Sequence, residues 1–351
     1  MLIQARRDGF AIPMVILLIG VITAGVVGAF ARVESENTVV TSADAQTRAY
    51  ALAEAGIGQY LSDRYVPSPM DFDLPGGSAE VRVEEMRPDD GVNGTLYLIR
   101  STGIPETGSA AAARHTVVQL AWLIPYTMSV PAGWTSLSGI RKDGTSGLMS
   151  GYDECGMSAA EGGVAVPTGG YSGHDSMLEG DPPKLEMGTV EDMADNIDID
   201  WTNIVSGDAL DFDIRIPDDP WPSADSFDAR PDWWPVIYID NKDGPVFDPA
   251  DMDGRGTLII RGDVDLDGGD EWQGIMLVGG RLVDNGTGAI SGTVVSGLNL
   301  TLDPPESVEQ SSRAHGTKTY RYNSCHIESA LTAMSLLRPM RNTWIDNWAA
   351  Y

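Results

Sequence analysis

The first thirty residues constrain this chain most, because a short basic leader meets a long apolar run without charges. The leader ends at Gly9, and the run extends from Phe10 to Phe30. As a helix with a rise of about 1.5 Å per residue, the run is about 30 Å long, which matches the hydrocarbon core of a bilayer. The sequence therefore predicts one membrane crossing.

The charges on either side of this run predict its orientation. Arg6 and Arg7 precede it, whereas Glu34 and Glu36 follow it. Basic residues favour the cytoplasmic side of a membrane helix. We therefore expect residues 1–9 in the cytoplasm and everything after Arg32 outside.

A removable secretory signal and a retained anchor are the two interpretations of the segment. Ala29 and Ala31 could form a small-residue cleavage site, but the apolar core is long for a secretory signal. The sharper junction is Gly9-Phe10. It resembles the type III signal of type IV pilins and pseudopilins. That resemblance implies cleavage by a prepilin peptidase between Gly9 and Phe10, and methylation of Phe10.

An alanine-rich amphipathic stretch continues the helix beyond the membrane. Its apolar positions follow i, i+3, i+4 spacing at Ala49, Leu52, Ala53, Ile57 and Leu61. This pattern predicts one helix that ends near Ser62.

The end of this helix carries a second resemblance. The AlaGluAlaGly element at Ala53–Gly56 is similar to the stalk ending of PilX-type minor pilins and related assembly proteins. The alternative is an ordinary amphipathic helix that packs on its own domain.

Position five of the mature chain departs from most major pilins. They carry Glu there, and its carboxylate neutralises the N-terminal ammonium of a neighbouring subunit, whereas this chain has Met14. An unpaired ammonium in an apolar fibre core is costly. The substitution resembles the K-type minor pseudopilin of type II secretion and favours a tip or initiation role. Pro13 is tolerated because it lies in the first helical turn.

The composition limits the exported part to certain architectures and partners. The chain has 351 residues, with 51 acidic and 23 basic residues and a net charge of -28. Such a charge disfavours nucleic acid as a partner. With 40 Gly and 21 Pro, the chain favours an α+β, mainly β fold rich in turns.

A small domain of residues 63–125 is predicted after the helix. Strand-like runs at Ala79–Glu85, Thr95–Ser101 and Arg114–Trp122 are separated by turn sequences. Their alternation and the intervening AsnGly predict an antiparallel sheet, the size of a small pilin head. His115 is the one histidine in these runs, and we interpret it as a half-exposed strand residue and not as a ligand.

A larger β-rich display domain is predicted over residues 126–351. Short apolar strands recur with Gly or Asn at the corners over residues 256–302, which suits a β-solenoid, with a compact sandwich as the alternative. Three further stretches resemble the C-terminal domain of PilX-like assembly proteins: Ser150–Gly156, Gly163–Gly170 and Arg338–Trp344.

The two cysteines lie near the ends of this larger domain. In an oxidising envelope, the pair Cys155 and Cys325 favours a disulfide. Two unpaired thiols are the alternative. A zinc site is disfavoured, because His326 has no second ligand pair beside it.

Acidic turns offer one candidate cofactor site, for calcium. Asp263, Asp265, Asp267 and Asp270 begin like an EF-hand loop, but Gly274 stands where the bidentate Glu belongs. On a strand the first three would simply form its polar face.

Signals for catalysis are weak. Ser172 lies near His174 and Asp175, but residues so close in sequence rarely form a triad, and we predict a surface loop without enzymatic activity. Trp201, Trp221, Trp233 and Trp234 could bind sugars or proteins, although a core role is favoured.

The sequence as a whole resembles a PilX-like minor pilin. The resemblance implies a role in initiation or at the tip of a type IV pilus-like fibre, with adhesion as a further role. Its implied partners are other minor and major pilins, the prepilin peptidase, the inner membrane and a surface ligand. Its implied location is the bacterial inner membrane and then the periplasm or the pilus tip at the cell surface. A type II secretion pseudopilin of the K type and an anchored envelope enzyme are the alternatives.

Overall fold

The computed structural model describes residues 11–62, 67–88, 94–106, 113–207, 210–242, 244–248, 252–266, 268–308 and 311–346. By internal contacts the chain forms two compact units. The first comprises Met1–Trp122 and Leu337–Tyr351, and the second comprises Leu123–Leu336.

The first unit consists of a long helix and an antiparallel sheet. Its elements, in order, are α1 (Ala11–Ser62), β1 (Met70–Leu74), β2 (Gly77–Arg87), β3 (Thr95–Pro105) and β4 (His115–Ile124). Neighbouring strands pair in the order β1-β2-β3-β4, and the β1–β2 and β2–β3 pairs are antiparallel. The three strand-like runs of the sequence lie in β2, β3 and β4, whereas β1 was not predicted.

One face of α1 packs on this sheet in its C-terminal quarter. The buried helix positions keep the i, i+3, i+4 spacing: Ala49, Leu52, Ala53, Gly56, Ile57 and Tyr60. They meet Phe72, Val81, Ile99 and Val117 of the sheet. The helix therefore supplies part of the first unit's apolar core, and the strands supply the rest.

The second unit is a parallel β structure with short helices. Its elements are β5 (Ala132–Ser136), β6 (Ile140–Asp143), β7 (Met149–Ser150), β8 (Gly162–Val166), β9 (Tyr171–Gly173), β10 (Leu178–Glu179), β11 (Lys184–Glu186), α2 (Val190–Ile197), α3 (Trp201–Ser206), β12 (Ile214–Ile216), α4 (Ala224–Asp228), β13 (Val236–Ile239), β14 (Gly254–Ile260), β15 (Val264–Leu266), β16 (Glu271–Val278), β17 (Leu282–Asp284), β18 (Ala289–Ser296), β19 (Ser312–His315), β20 (Thr319–Tyr322) and α5 (Ser324–Met334).

A 3₁₀ helix replaces one expected strand of this unit. Leu298–Thr301 forms the helix after Gly297, which adopts φ +82°. Leu298 and Asn299 turn inward and are buried. The apolar alternation of this stretch therefore reflects one buried turn and not an extended strand.

Parallel pairing organises the strands of the second unit into two sheets. One runs β10-β7-β20-β18-β16-β14-β13-β12, with β5, β8 and β11 attached, and the other runs β15-β17-β19-β6-β9. Gly256 pairs with Gly274, which pairs with Gly292, so successive strands here are eighteen residues apart. Parallel ladders of this kind differ from the antiparallel sheets of a sandwich.

The three paired glycines are required by the close approach of successive strands. Gly256, Gly274 and Gly292 adopt φ of +123°, +120° and +144°. A Cβ on Gly292 would lie 1.9 Å from the Gly274 carbonyl oxygen. No other residue fits this column without moving the backbone.

Apolar clusters cover both faces of the larger sheet. Leu258, Met276 and Val294 point into a core shared with Leu266 and Leu282 of the second sheet. Their strand neighbours, including Ile259, Leu277 and Val295, face the opposite cluster with Trp201, Ile204, Ile327 and Met334 of the helices. Burial on both faces explains why these strands read as continuous apolar runs.

The C-terminal segment belongs to the first unit, whereas the sequence predicts that it is part of the domain of residues 126–351. Strands β21 (Leu336–Pro339) and β22 (Ile345–Asp346) both pair with β4. His115 of β4 contacts the Asp346 carboxylate, and its ring meets Tyr50 of α1 edge-on at 5.2 Å. These long-range contacts assign the segment to the small sheet.

Candidate functional site

The N-terminal half of α1 is a long apolar surface that no other described residue covers. Its large apolar side chains from Ile12 to Phe30 are exposed, and burial begins near Ala49. Among the described residues, α1 is the one helix long and apolar enough to cross a membrane. Such a surface is compatible with a membrane anchor and requires a lipid or protein environment.

The residues predicted for processing and assembly lie at the start of this surface. Gly9 and Phe10 fall outside the described residues. Pro13 and Met14 lie in the first turn of α1, and the Met14 side chain is 70% exposed. Position 14 therefore presents a thioether to its surroundings, where a carboxylate would be needed to bind an ammonium group.

The predicted disulfide joins Cys155 to Cys325 in the second unit, with their Cα atoms 5.9 Å apart. It links the loop after β7 to the first turn of α5. Both cysteines are partly exposed. The bond connects segments that are 170 residues apart in the sequence.

The Asp153 carboxylate holds the same loop to α5 without a covalent bond. It accepts hydrogen bonds from the backbone N–H groups of Cys155, Met157, Ser158 and Ser324 and from the Ser324 hydroxyl, at 2.7–3.2 Å. Partial burial raises the pKa of Asp153, but these donors outweigh it and lower the pKa to about 2. The carboxylate is therefore ionised throughout the physiological range.

The loop that Asp153 and the disulfide fix carries two exposed apolar side chains. Tyr152 is 54% exposed and Met157 is 81% exposed. A loop fixed in this way loses little conformational entropy when it binds a partner. It is a candidate contact surface that sequence reasoning missed, although Asp153 lies within the SerGlyTyrAspGluCysGly stretch.

The acidic residues predicted for calcium already have other partners. The Asp263 carboxylate accepts hydrogen bonds from the backbone N–H and the side chain of Arg281, at 2.9 and 3.1 Å. Asp265 accepts one from Asn285, and Asp270 pairs with Lys318. Asp267 lies outside the described residues. Within the described part of the chain, no group of three or more acidic, His or Cys residues is arranged to hold a metal ion.

The residues considered for catalysis do not converge. Ser172 lies on β9, and His174 and Asp175 follow it on the surface. All three are exposed, and in the described structure no hydrogen bond joins their side chains. The absence of enzymatic activity remains a prediction.

The tryptophans contribute to packing. Trp201 is buried and donates its indole N–H to Asn299, at 2.8 Å. Trp221 and Trp234 pack against the two apolar clusters, and the Arg230 guanidinium lies 3.5 Å from the Trp233 ring centroid. The partners of these residues favour the core interpretation over sugar binding.

A buried charged cluster in the second unit was also missed. Lys142, Lys318, Asp270 and Asp284 are each at most 3% exposed. Lys318 lies between turn residues and a strand, a position that favours exposure by sequence alone. Only the stacking of distant strands brings these four side chains together.

Comparisons with known proteins leave the family undecided. No protein-family model matches the chain, and no curated protein matches it. A solved structure, the competence-associated pilin ComZ from Thermus thermophilus, matches with a TM-score of 0.23 and 10% sequence identity. The match covers 87% of this chain and 98% of that chain. A TM-score this low does not show a shared fold.

Proposed function

We propose that this chain is a PilX-like minor pilin that acts in initiation or at the tip of a type IV pilus-like fibre. The observation that carries the proposal is the two-part character of α1. Its first half exposes apolar side chains, and its last quarter packs on a small antiparallel sheet. A single unbroken helix, Ala11–Ser62, connects both parts.

This arrangement suits a subunit that moves from a membrane into a helical fibre. The exposed half of α1 lies in the inner membrane before assembly and packs against the helices of other minor and major pilins afterwards. Because both surroundings are apolar, the transfer exposes little apolar surface to water. The prepilin peptidase would first release residues 1–9 by cleavage between Gly9 and Phe10, and methylation of Phe10 would follow.

Met14 supports a position at the end of the fibre. Its thioether offers no charge to a neighbour's N-terminal ammonium, and burying that ammonium unpaired costs several kcal/mol, of the order estimated for buried ions. A subunit at the tip has no neighbour above it that needs this partner. The same residue favours a K-type pseudopilin of type II secretion as the second candidate.

The second unit is the display domain in this proposal, and its parallel ladders support a β-solenoid. Three strands, β14, β16 and β18, repeat at eighteen residues, and the same step relates Val264 to Leu282 in the other sheet. Each layer covers the apolar side chains of the next. Such a rigid body could carry an adhesive surface, for which the fixed loop with Tyr152 and Met157 is the candidate.

Processing and location in the fibre test this proposal together. The full chain, expressed with a prepilin peptidase and a pilus assembly system, should yield a mature protein that begins at Phe10. A Gly9→Leu variant should remain uncleaved and absent from fibres, while a Gly20→Ala variant, changed within the helix, should be processed normally. Immunogold labelling should mark fibre ends. A mature N-terminus near residue 32, or even labelling along fibres, would contradict the proposal.

A further inference from the structure

The buried charged cluster of the second unit is unusual because it places two lysines and two aspartates out of contact with water. Asp270 precedes β16, Asp284 ends β17, Lys142 lies in β6 and Lys318 precedes β20. Burying an ionised side chain costs several kcal/mol unless a partner compensates it. The cluster therefore calls for a specific chemical role.

Lys318 and Asp270 are in direct contact. The Lys318 Nζ lies 3.1 Å from the Asp270 Oδ2, and both side chains are fully buried. The other carboxylate oxygen, Oδ1, accepts a hydrogen bond from the Met252 backbone N–H at 3.0 Å. An amine thus lies beside a carboxyl group whose second oxygen is held by a fixed donor.

Asp284 adds a group that can carry a proton near neutral pH. Burial raises its pKa to about 6, even though the Gly286 N–H and the nearby Lys318 and Lys142 ammonium groups favour the ionised form. The Tyr320 hydroxyl is buried beside the Asp284 carboxyl and within electrostatic range of Asp270.

We propose that Lys318 and Asp270 form an intramolecular amide bond, with Asp284 as the group that transfers protons. In the first step, one proton passes from the Lys318 Nζ to the Asp270 Oδ2 along their hydrogen bond, which leaves an amine and a carboxylic acid. The Lys318 Nζ attacks Cγ of Asp270, and the charge that develops on Oδ1 is stabilised by the Met252 N–H. Asp284 accepts a proton from the nitrogen and gives one to Oδ2, which leaves as water. An ammonium and a carboxylate thus become one amide and one water molecule, and no oxidant or reductant is needed.

The surroundings favour this reaction over a persistent ion pair. In water, hydration stabilises the separate ions, and this stabilisation is lost when both side chains are buried. An amide places no net charge in the interior. The bond would connect the segments before β16 and β20 and close a loop distinct from that of the disulfide. It does not depend on the proposed pilin role.

Mass spectrometry of the full chain tests the bond directly. The reduced, denatured protein is digested, and we expect a branched peptide that joins the segments containing Asp270 and Lys318. Its mass should be that of the two linear peptides minus one water molecule. Two separate linear peptides with unmodified Asp270 and Lys318 would overturn the proposal.

Matched variants separate the roles of the three residues. Lys318→Arg should abolish the branched peptide, because the guanidinium is a poor nucleophile. Lys242→Arg, at the partly exposed ion pair with Glu306, should retain it. Asp270→Asn should give the identical branched peptide with release of ammonia, which shows that the site is folded and reactive.

Asp284→Asn keeps both reacting groups and removes the proton carrier. We expect loss of the branched peptide in a protein that still unfolds cooperatively on heating. A branched peptide formed to the wild-type extent in this variant would overturn the assignment of Asp284.

Discussion

Gly56 of α1 lies so close to Ala79 of β2 that a Cβ at residue 56 would stand 2.3 Å from the Ala79 Cβ. The Ser101 hydroxyl oxygen would lie 2.8 Å from the same atom. The glycine of the AlaGluAlaGly element therefore lies at a point where the helix and its sheet approach closely. Gly58, one half-turn further along, has nothing within 4 Å of its Cβ position.

The two glycines should respond oppositely to replacement by alanine. Gly56→Ala should lower the midpoint of thermal unfolding, because overpacking of this kind typically costs about 1–3 kcal/mol. Gly58→Ala should raise the midpoint, because alanine is the better helix former and increases the free energy of unfolding by up to about 1 kcal/mol. Circular dichroism of the detergent-solubilised full chain measures both. Equal effects of the two variants would contradict the close packing at Gly56.

Asp153 should make stability depend on acidic pH. Its pKa is about 2 in the folded protein and about 3.9 in an unfolded chain. A lowered folded pKa stabilises the protein above the unfolded value, and this contribution is lost as the pH falls from about 4 to 2. Asp153→Asn should therefore unfold at a lower temperature than the wild type at pH 7, with a smaller difference at pH 2.5.

An exposed carboxylate on α5, the helix that Asp153 contacts, provides the control. Glu328 lies on α5 and is exposed. Glu328→Gln should leave the unfolding midpoint nearly unchanged at pH 7. If both variants lost the same stability, the hydrogen bonds to Asp153 would have no special role.

The disulfide should contribute more than Asp153 to the stability of the second unit. For a long loop, the chain-entropy estimate is about 5 kcal/mol at most. Paired Cys155→Ser and Cys325→Ser substitutions should lower the unfolding midpoint, and reductant should then have no further effect. Wild-type protein should show the same decrease when reduced. An unchanged wild-type midpoint in reductant would show that the bond does not stabilise the fold.

Met14→Glu should change where the subunit is found. If cleavage occurs at Gly9-Phe10 as proposed, a carboxylate at position 14 can pair with the N-terminal ammonium of a neighbour. Antibodies should then label the variant along the shaft as well as at the ends of fibres. Met14→Leu, which keeps an apolar side chain, serves as the control and should retain end labelling. Identical labelling of both variants would remove the proposed role of Met14.

The helix and the small sheet were accessible from the sequence because their signals are local. The spacing of Ala49, Leu52, Ala53, Ile57 and Leu61 predicts the buried face of α1. The first four side chains are buried, and Leu61 is half-buried. The strand-like runs coincide with β2, β3 and β4, except that Arg114 precedes β4. Strand β1 was missed because MetAspPheAspLeu is short and half polar, and only its pairing with β2 makes it a strand.

The second unit shows where local signals are insufficient. An apolar strand such as Leu258–Ile260 has the same sequence pattern in parallel and antiparallel pairing, and only contact with β13 and β16 decides between them. The stretch at Leu298 was expected as a strand, but it forms a 3₁₀ helix because Gly297 turns the chain.

The sequence alone determined the long apolar segment, the amphipathic helix that continues it and the presence of one cysteine pair, because each depends on composition or on a spacing of a few residues. Tertiary structure decided which residues meet across large separations. It joined β22 to β4, placed Asp153 against Ser324 and enclosed Lys318 with Asp270. These contacts depend on how strands from distant parts of the chain stack, and burial then sets their chemistry by removing water from charged groups.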